Sequence, residues 1–213
     1  FMNCLFPTLR QDAAPTHSVC IGEGFCDKPF ASSAIFNISG MSFGAISKPA
    51  IRALAAGAKE AGIWMNTGEG GLSPYHLEAG CDIVFQIGTA KYGVRDDHGH
   101  ISEERLRDIA AHPQVRMFEL KLSQGAKPGK GGILPGGKVT EEVSKIRGIP
   151  VGQDSISPNG HPDIRSVDEL LDNLMRIRRI TGKPVGFKMV LGFSEWLDEL
   201  GEAVHRRGLE YAP

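Results

Sequence analysis

Short apolar runs alternate along this chain with stretches whose apolar residues recur at helical spacing. Residues 34–40, 63–66, 115–122, 153–157 and 185–191 are β-rich, and each run ends in a polar or glycine-rich turn, which predicts strands. Between them the helix signals are legible. Ser47, Lys48 and Pro49 open a segment with Ile51, Leu54, Ala55, Ala58 and Ala61 on one face, and Gly62 stops it. Ser166 and Glu169 form a capping box ahead of Leu170, Leu171, Leu174 and Ile177, and Gly182, Lys183 and Pro184 break that helix before the next strand. Weaker helical patterns follow Ser102, Thr140 and Ser194, and residues 82–86 read as an extra strand in an excursion between the second and third main strands. Residues 1–33, with Pro7, Pro15 and Pro29 and no sustained period, read as an irregular arm.

Alternation of strand and helix implies a parallel sheet, because parallel neighbours need a crossover connection. Of the two parallel architectures, a (β/α) barrel is favoured over an open doubly wound sheet. Most strands end in a polar or glycine-rich loop, as in a barrel where every strand end feeds one site, whereas an open sheet concentrates its chemistry at one switch point. A complete barrel takes about 250 residues, and the 213-residue chain has 180 after the arm. The expectation is an α/β chain with an arm at 1–33 and, at 34–213, a partial (β/α)8 TIM barrel holding about the first five βα units.

Composition removes several function classes. The formal charge is −1, from 24 Lys+Arg against 25 Asp+Glu, which argues against a nucleic-acid binder. No apolar run approaches the roughly 18 residues of a membrane span, and the chain does not open on a basic stretch followed by an apolar core, so a cytoplasmic protein is expected. Cys4, Cys20, Cys26 and Cys81 lack C-x-x-C spacing and read as free thiols. With no H-E-x-x-H pattern either, no metal site is expected. The 27 glycines cluster after apolar runs, as tight loops require.

Four segments could carry chemistry. The loop 121–132 sets Lys121, Gln124, Lys127 and Lys130 beside four glycines at a strand end, which suits an anionic ligand or a solvated lysine-rich loop. Its Gly-Lys is followed by glycine, so it is not a P-loop. Glu69 is a lone carboxylate in the glycine-rich 66–71 segment, either functional or a plain turn residue. Lys188 lies inside an apolar strand pattern, where a cation must find a partner or an open barrel mouth. His161 and Asp163 follow the fourth predicted strand as an acid/base pair or as turn formers, while His98 and His100 sit in a hydrophilic stretch.

Taken in order, I-S-G-M-S-F-G-A-I-S (38–47), N-T-G-E-G-G (66–71), Q-I-G-T-A-K-Y-G-V (86–94), the Q-G-A-K-P-G loop and V-G-F-K-M-V (185–190) resemble the FMN-binding synthase domain of glutamate synthase over residues 34–191. The stand-alone proteins of that family and the corresponding subunit of N-methylglutamate synthase are closest in character. The resemblance implies a (β/α)8 barrel in which reduced FMN delivers hydride to 2-iminoglutarate, formed from 2-oxoglutarate and ammonia or an amine, giving glutamate or an N-substituted glutamate. It implies cofactor contacts at Met41, Ser42, Phe43, Gly44, Thr67, Gln86, Lys121 and Lys188. It assigns substrate binding to Gln124, Lys127 and Arg147, with Glu69 and Lys127 as the catalytic pair. The family's last three βα units, phosphate-binding loops and iron–sulfur cysteines would follow Pro213, so no cluster ligand is assigned here. An electron-donor protein, or a second chain completing the barrel, is the implied partner. Two alternatives stay open: a split barrel fragment that associates through its open strand edge without catalysis, and a Schiff-base barrel using Lys188.

Overall fold

The computed structural model describes residues 5, 6, 9, 17–124 and 129–213. Cys4 and Lys127 lie outside the described residues. The core is a parallel sheet of β3 (Met65–Asn66), β4 (Ile83–Ile87), β5 (Val115–Lys121) and β8 (Val185–Lys188), in that spatial order. Ile38 extends it with a single parallel bridge to Met65, so the predicted strand at 34–40 is present only as that contact. Spatial order therefore follows chain order, with no reversal at which a doubly wound sheet would switch direction.

Two predicted strands exchange places. Residues 82–86 are no excursion: they form most of β4, which lies inside the sheet between β3 and β5. Residues 153–157 contribute only β7 (Ser155–Ile156), which pairs antiparallel with β6 (Ile133–Leu134) outside the main sheet. A five-residue apolar run flanked by glycines and an equally short run after Gly152 are alike in period. Pairing partners decide between them, and those lie far away in sequence.

Helices α1 (Lys48–Ala61), α3 (Glu103–Ala111) and α5 (Val167–Thr181) all cover one face of the sheet. Ile51, Ala55 and Ala58 of α1, Leu106 and Ala110 of α3, and Leu170, Leu174 and Ile177 of α5 share one buried cluster with Met65, Ile83, Phe85, Ile87, Val115, Phe118, Leu120 and Val185. Period-two alternation puts the intervening residues, Asn66, Val84, Gln86, Glu119 and Lys188, on the opposite face. One face is thus apolar and helix-covered while the other turns polar towards the C-terminal strand ends.

Caps hold the helices where the sequence places them. Ser47 accepts from the Ala50 amide, Ser166 from Glu169, Thr140 from Val143 ahead of α4 (Glu141–Arg147), and Gly62, Gly148 and Gly182 end α1, α4 and α5 in the left-handed region. The arm contains a hairpin, β1 (Val19–Ile21) with β2 (Phe30–Ser32), where an irregular run was expected. It packs at the N-terminal end of the sheet, with the Lys28 amide bonded to Gly182 O at 2.8 Å and Arg116 over the Phe30 ring. Beside it the buried Lys183 ammonium donates to the carbonyls of Ala110, His112 and Val115 and fastens the α3–β5 connection; burial pushes it down to about 8.

Phe118 is fully buried and edge-on to Phe85 at 5.8 Å, between sheet and helices. Phe118→Ala is expected to lower unfolding free energy by roughly 3–5 kcal/mol in urea titrations. A loss below about 1 kcal/mol would show that this layer is not the packed centre of the fold.

Candidate functional site

The polar strand ends converge through glycine. Gly68 has φ +65°, and a Cβ there would lie 2.7 Å from the Ser42 amide nitrogen. A Cβ at Gly70 would lie 2.9 Å from Ser42 Cβ and 3.1 Å from Arg147 Nη2. Glycine is therefore required for the loop after β3 to pack backbone-on-backbone against the 41–45 turn. Gly40 makes the same approach to Gly68, Asn66 and Gln86.

Below that contact lies a network that joins three strands. Glu119 Oε1 accepts from Asn66 Nδ2 at 2.9 Å and from Gln86 Nε2 at 2.6 Å, while Asn66 Oδ1 accepts the Gly68 amide. Asn66, Glu119 and Lys188 line a cavity of ≈340 Å³ with Ser39, Gly40 and Trp64. Lys188 is exposed at the end of β8, an edge strand among the described residues, so it does not bear the cost of a buried cation. Glu119 is the site residue the sequence reading missed. A carboxylate inside the apolar strand V-R-M-F-E-L-K is the same signal that singled out Lys188.

Glu69 and Lys121 form the second centre. Lys121 Nζ lies 3.3 Å from Glu69 Oε2, and Gln124 Nε2 donates to Glu69 Oε1 at 3.0 Å. Both charged side chains are largely buried, at 16% and 17% exposure, where an ion pair is screened less than on an open surface. His161 Nε2 donates to the Lys121 carbonyl, 2.9 Å away, and Thr89 donates to Pro158 O. His161 and Asp163 do not form a pair with each other: Asp163 instead accepts from the buried Lys91 ammonium at 2.7 Å. Burial works to raise the Asp163 carboxyl, but Lys91 holds it below its ordinary value.

Arg147 is the third centre, buried on the Tyr92 ring with its guanidinium carbon 5.2 Å from the centroid. It donates to Phe43 O and Ser155 Oγ, its Nε has no partner among the described residues, and burial pushes it below the ordinary arginine range. A guanidinium with no bonded carboxylate and one idle donor can take an anion. The turn that it holds places Met41, Ser42, Phe43 and Gly44 together, with Gly44 at φ +97° against Arg147 Nη2. The Phe43 ring itself packs on Tyr75. Thr67 is fully buried, its hydroxyl donating to Gly68 O and accepting the Gln86 amide.

His76 supports that turn from beneath. It stands at the third position of α2 (Pro74–Leu77), and the Ser73 amide donates to its Nδ1, so Nε2 carries the proton and donates to Met41 O at 2.9 Å. The imidazole replaces the usual Glu or Gln of a capping box, a substitution that local pattern alone did not flag. His98 and His100 meet Asp96 through their backbones: both amides donate to its carboxylate, and the His100 carbonyl accepts from its amide.

The conserved region in glutamate synthase, as a family model, matches residues 8–205. The chain belongs to the glutamate synthase family. It is 43% identical over 189 residues to the glutamate synthase large subunit-like protein YerD of Bacillus subtilis, covering 88% of this chain and 36% of that protein. It is 42% identical over 151 residues to the archaeal-type glutamate synthase (NADPH) of Thermotoga maritima, covering 70% and 27%. To the archaeal glutamate synthase (NADPH) of Methanocaldococcus jannaschii it is 40% identical over 154 residues, covering 71% and 28%. The chain thus spans about a third of the length of these curated relatives. Among the described residues no helix of this glutamate synthase family chain is long and apolar enough to cross a membrane.

His76 and His161 are both buried, and burial holds both imidazoles below their ordinary value of 6.5. Below that pH the unfolded chain takes up protons that the folded chain refuses, so stability falls as pH drops from 6.5 towards the folded-state values. The expected slope is up to about 1.4 kcal/mol per pH unit for each histidine. His76→Gln, which retains a side-chain acceptor for the Ser73 amide, should remove one histidine's share of that slope in urea melts between pH 5 and 7. An unchanged slope would show that His76 titrates normally.

Proposed function

We propose that this chain supplies the substrate side and ring side of an FMN-dependent barrel that reductively aminates a 2-oxo dicarboxylic acid, with 2-oxoglutarate as substrate. The observation that carries the reading is the convergence of Lys188, Glu119, Gln86 and Asn66 with Glu69, Lys121 and Gln124 at the C-terminal ends of parallel strands whose other face is helix-covered. The unreversed strand order supports a barrel wall over a doubly wound sheet.

The residues suit a flavin: the cavity beside Lys188 is flanked by apolar Ile35, Phe36 and Trp64 and floored by amides and a carboxylate. Bound there, FMN would supply a two-electron hydride carrier. Lys188 would place positive charge at the cavity mouth, where it favours a ring that gains negative charge on reduction. Met41, Ser42, Phe43 and Gly44 would contribute backbone surface, held by His76 and Arg147. Gln86 and Thr67 would fix the floor, with Lys121 bridging cofactor and substrate centres.

Lys121, Gln124 and Arg147 offer donors for the oxo group and carboxylates of a dicarboxylate, and Lys127 from the same loop would join them. Glu69 would hold or take a proton at its carboxylate beside the reacting carbon, with Lys127 as its catalytic partner. The amine, the electron donor and an iron–sulfur cluster would come from outside this chain. The edge of β8 is unpaired among the described residues, and in the segment after it Val190, Leu191 and Phe193 are 47%, 63% and 71% exposed. That edge favours pairing with a further βα segment or a second chain.

The test is to mix the protein with FMN, remove free flavin by gel filtration and read the visible flavin band, with and without 2-oxoglutarate. A retained band that weakens about tenfold in apparent affinity in Lys188→Met is the expected result, the size of one charged hydrogen bond. A colourless protein that also fails to bind FMN when supplied with the remaining barrel segments would overturn the reading.

A further inference from the structure

The Lys121–Gln124 cradle, assigned above to a substrate carboxylate, already holds one. Glu69 Oε2 lies against Lys121 Nζ at 3.3 Å and Glu69 Oε1 accepts from Gln124 Nε2 at 3.0 Å. The surroundings are shaped for that side chain. A Cβ at Gly88 would lie 2.7 Å from Glu69 Cβ and 2.9 Å from its Oε2, and one at Gly132 would collide with Oε1. Neither glycine has a positive φ, so close approach of the Glu69 carboxylate is what requires them. The space that Glu69 shares with Thr89, Lys121, Gln124 and Pro158 leaves no room for a water molecule.

A second carboxylate cannot join the first in that space. Two like charges on one ammonium and one amide would repel each other, and the cradle has no room even for a water beside Glu69. We infer that Glu69 is an internal occupant of the cradle, a built-in carboxylate that substrate must displace from Lys121 and Gln124 in order to bind. This inference rests on the substrate reading of the preceding subsection and adds a regulatory device to it. Displacement swings the Glu69 carboxylate off its donors at the moment the oxo acid arrives, so the empty site holds its reactive groups paired and the filled site releases Glu69 for proton transfer. The observed affinity is then the intrinsic affinity multiplied by the fraction of molecules in which the cradle is open.

The probe is glutarate, a saturated five-carbon dicarboxylate that cannot be aminated, titrated calorimetrically into the protein and into Glu69→Ala, Glu69→Asp and Lys121→Met. Displacement predicts that Glu69→Ala and Glu69→Asp both bind about tenfold tighter than the parent and that Lys121→Met binds weaker. Glu69→Asp keeps the charge but is one methylene short of reaching both donors, so it separates displacement from simple loss of repulsion. It also preserves the test if Glu69→Ala fails to fold, with thermal melts of each variant reporting folding. Parent-like binding by Glu69→Asp alongside weakened Lys121→Met overturns the inference alone and leaves the substrate reading intact. Weaker binding by both Glu69 variants also overturns it, since Glu69 would then be part of the ligand's own contacts. Absence of binding by the parent and by every variant instead removes the substrate reading, and this inference with it.

Discussion

The Glu119 carboxylate, shared between the amides of Asn66 and Gln86, is the contact on which the functional end of the sheet depends. A carboxylate on a strand between two parallel neighbours is costly unless its oxygens are occupied. Here one oxygen takes two amide donors, from β3 and β4, and fixes the C-terminal ends of three strands in one register. Asn66 is in turn oriented by the Gly68 amide, which starts the loop that presents Glu69. Displacing Glu119 would therefore disturb the cavity floor and, through Gly68, the loop bearing the second centre.

Above that floor, charge is handled differently at each cation. Lys91 is paired with Asp163 and acts as a fastener between the 88–94 loop and the start of α5. Lys183 has only carbonyl partners and closes the far end of the sheet. Lys121, at the end of β5, is paired with Glu69 of the loop after β3, a bond enclosed by glycines. Arg147 is buried on an aromatic ring with, among the described residues, no carboxylate bonded to it and one donor idle. The first two arrangements are complete in themselves, whereas the latter two sit where segments from separate strands meet, which is why the chemistry is proposed for them.

Much of this organisation was legible in the chain itself, and the failures are specific. The caps Ser47, Thr140 and Ser166, the terminating glycines and the apolar stripes of α1 and α5 follow from local geometry that any helix must satisfy. The 38–47 and 66–71 segments are two of the five motifs that carry the family resemblance, and backbone contact between Gly68 and Ser42 shows that they pack against each other. The 82–86 and 153–157 segments were assigned to each other's places because both are short, and only the neighbours available for pairing distinguish a central strand from a side hairpin. The tertiary roles of Glu119 and His76 are set by Asn66, Gln86 and Met41, which lie on other elements, although Glu119 carries the same in-strand charge signal as Lys188.

Sequence alone determined the alternation of strand and helix, the starts and stops of the main helices, the parallel character of the sheet and the family resemblance, since each is written in spacing over a few turns of chain. Tertiary structure decided which strands are neighbours, that α1, α3 and α5 cover the same face, and that Glu69 lies on Lys121 and Gln124. Strand pairing and ion pairing join residues dozens of positions apart, and their energies depend on register, burial and the room left by neighbouring glycines. Those quantities exist only once the chain has folded.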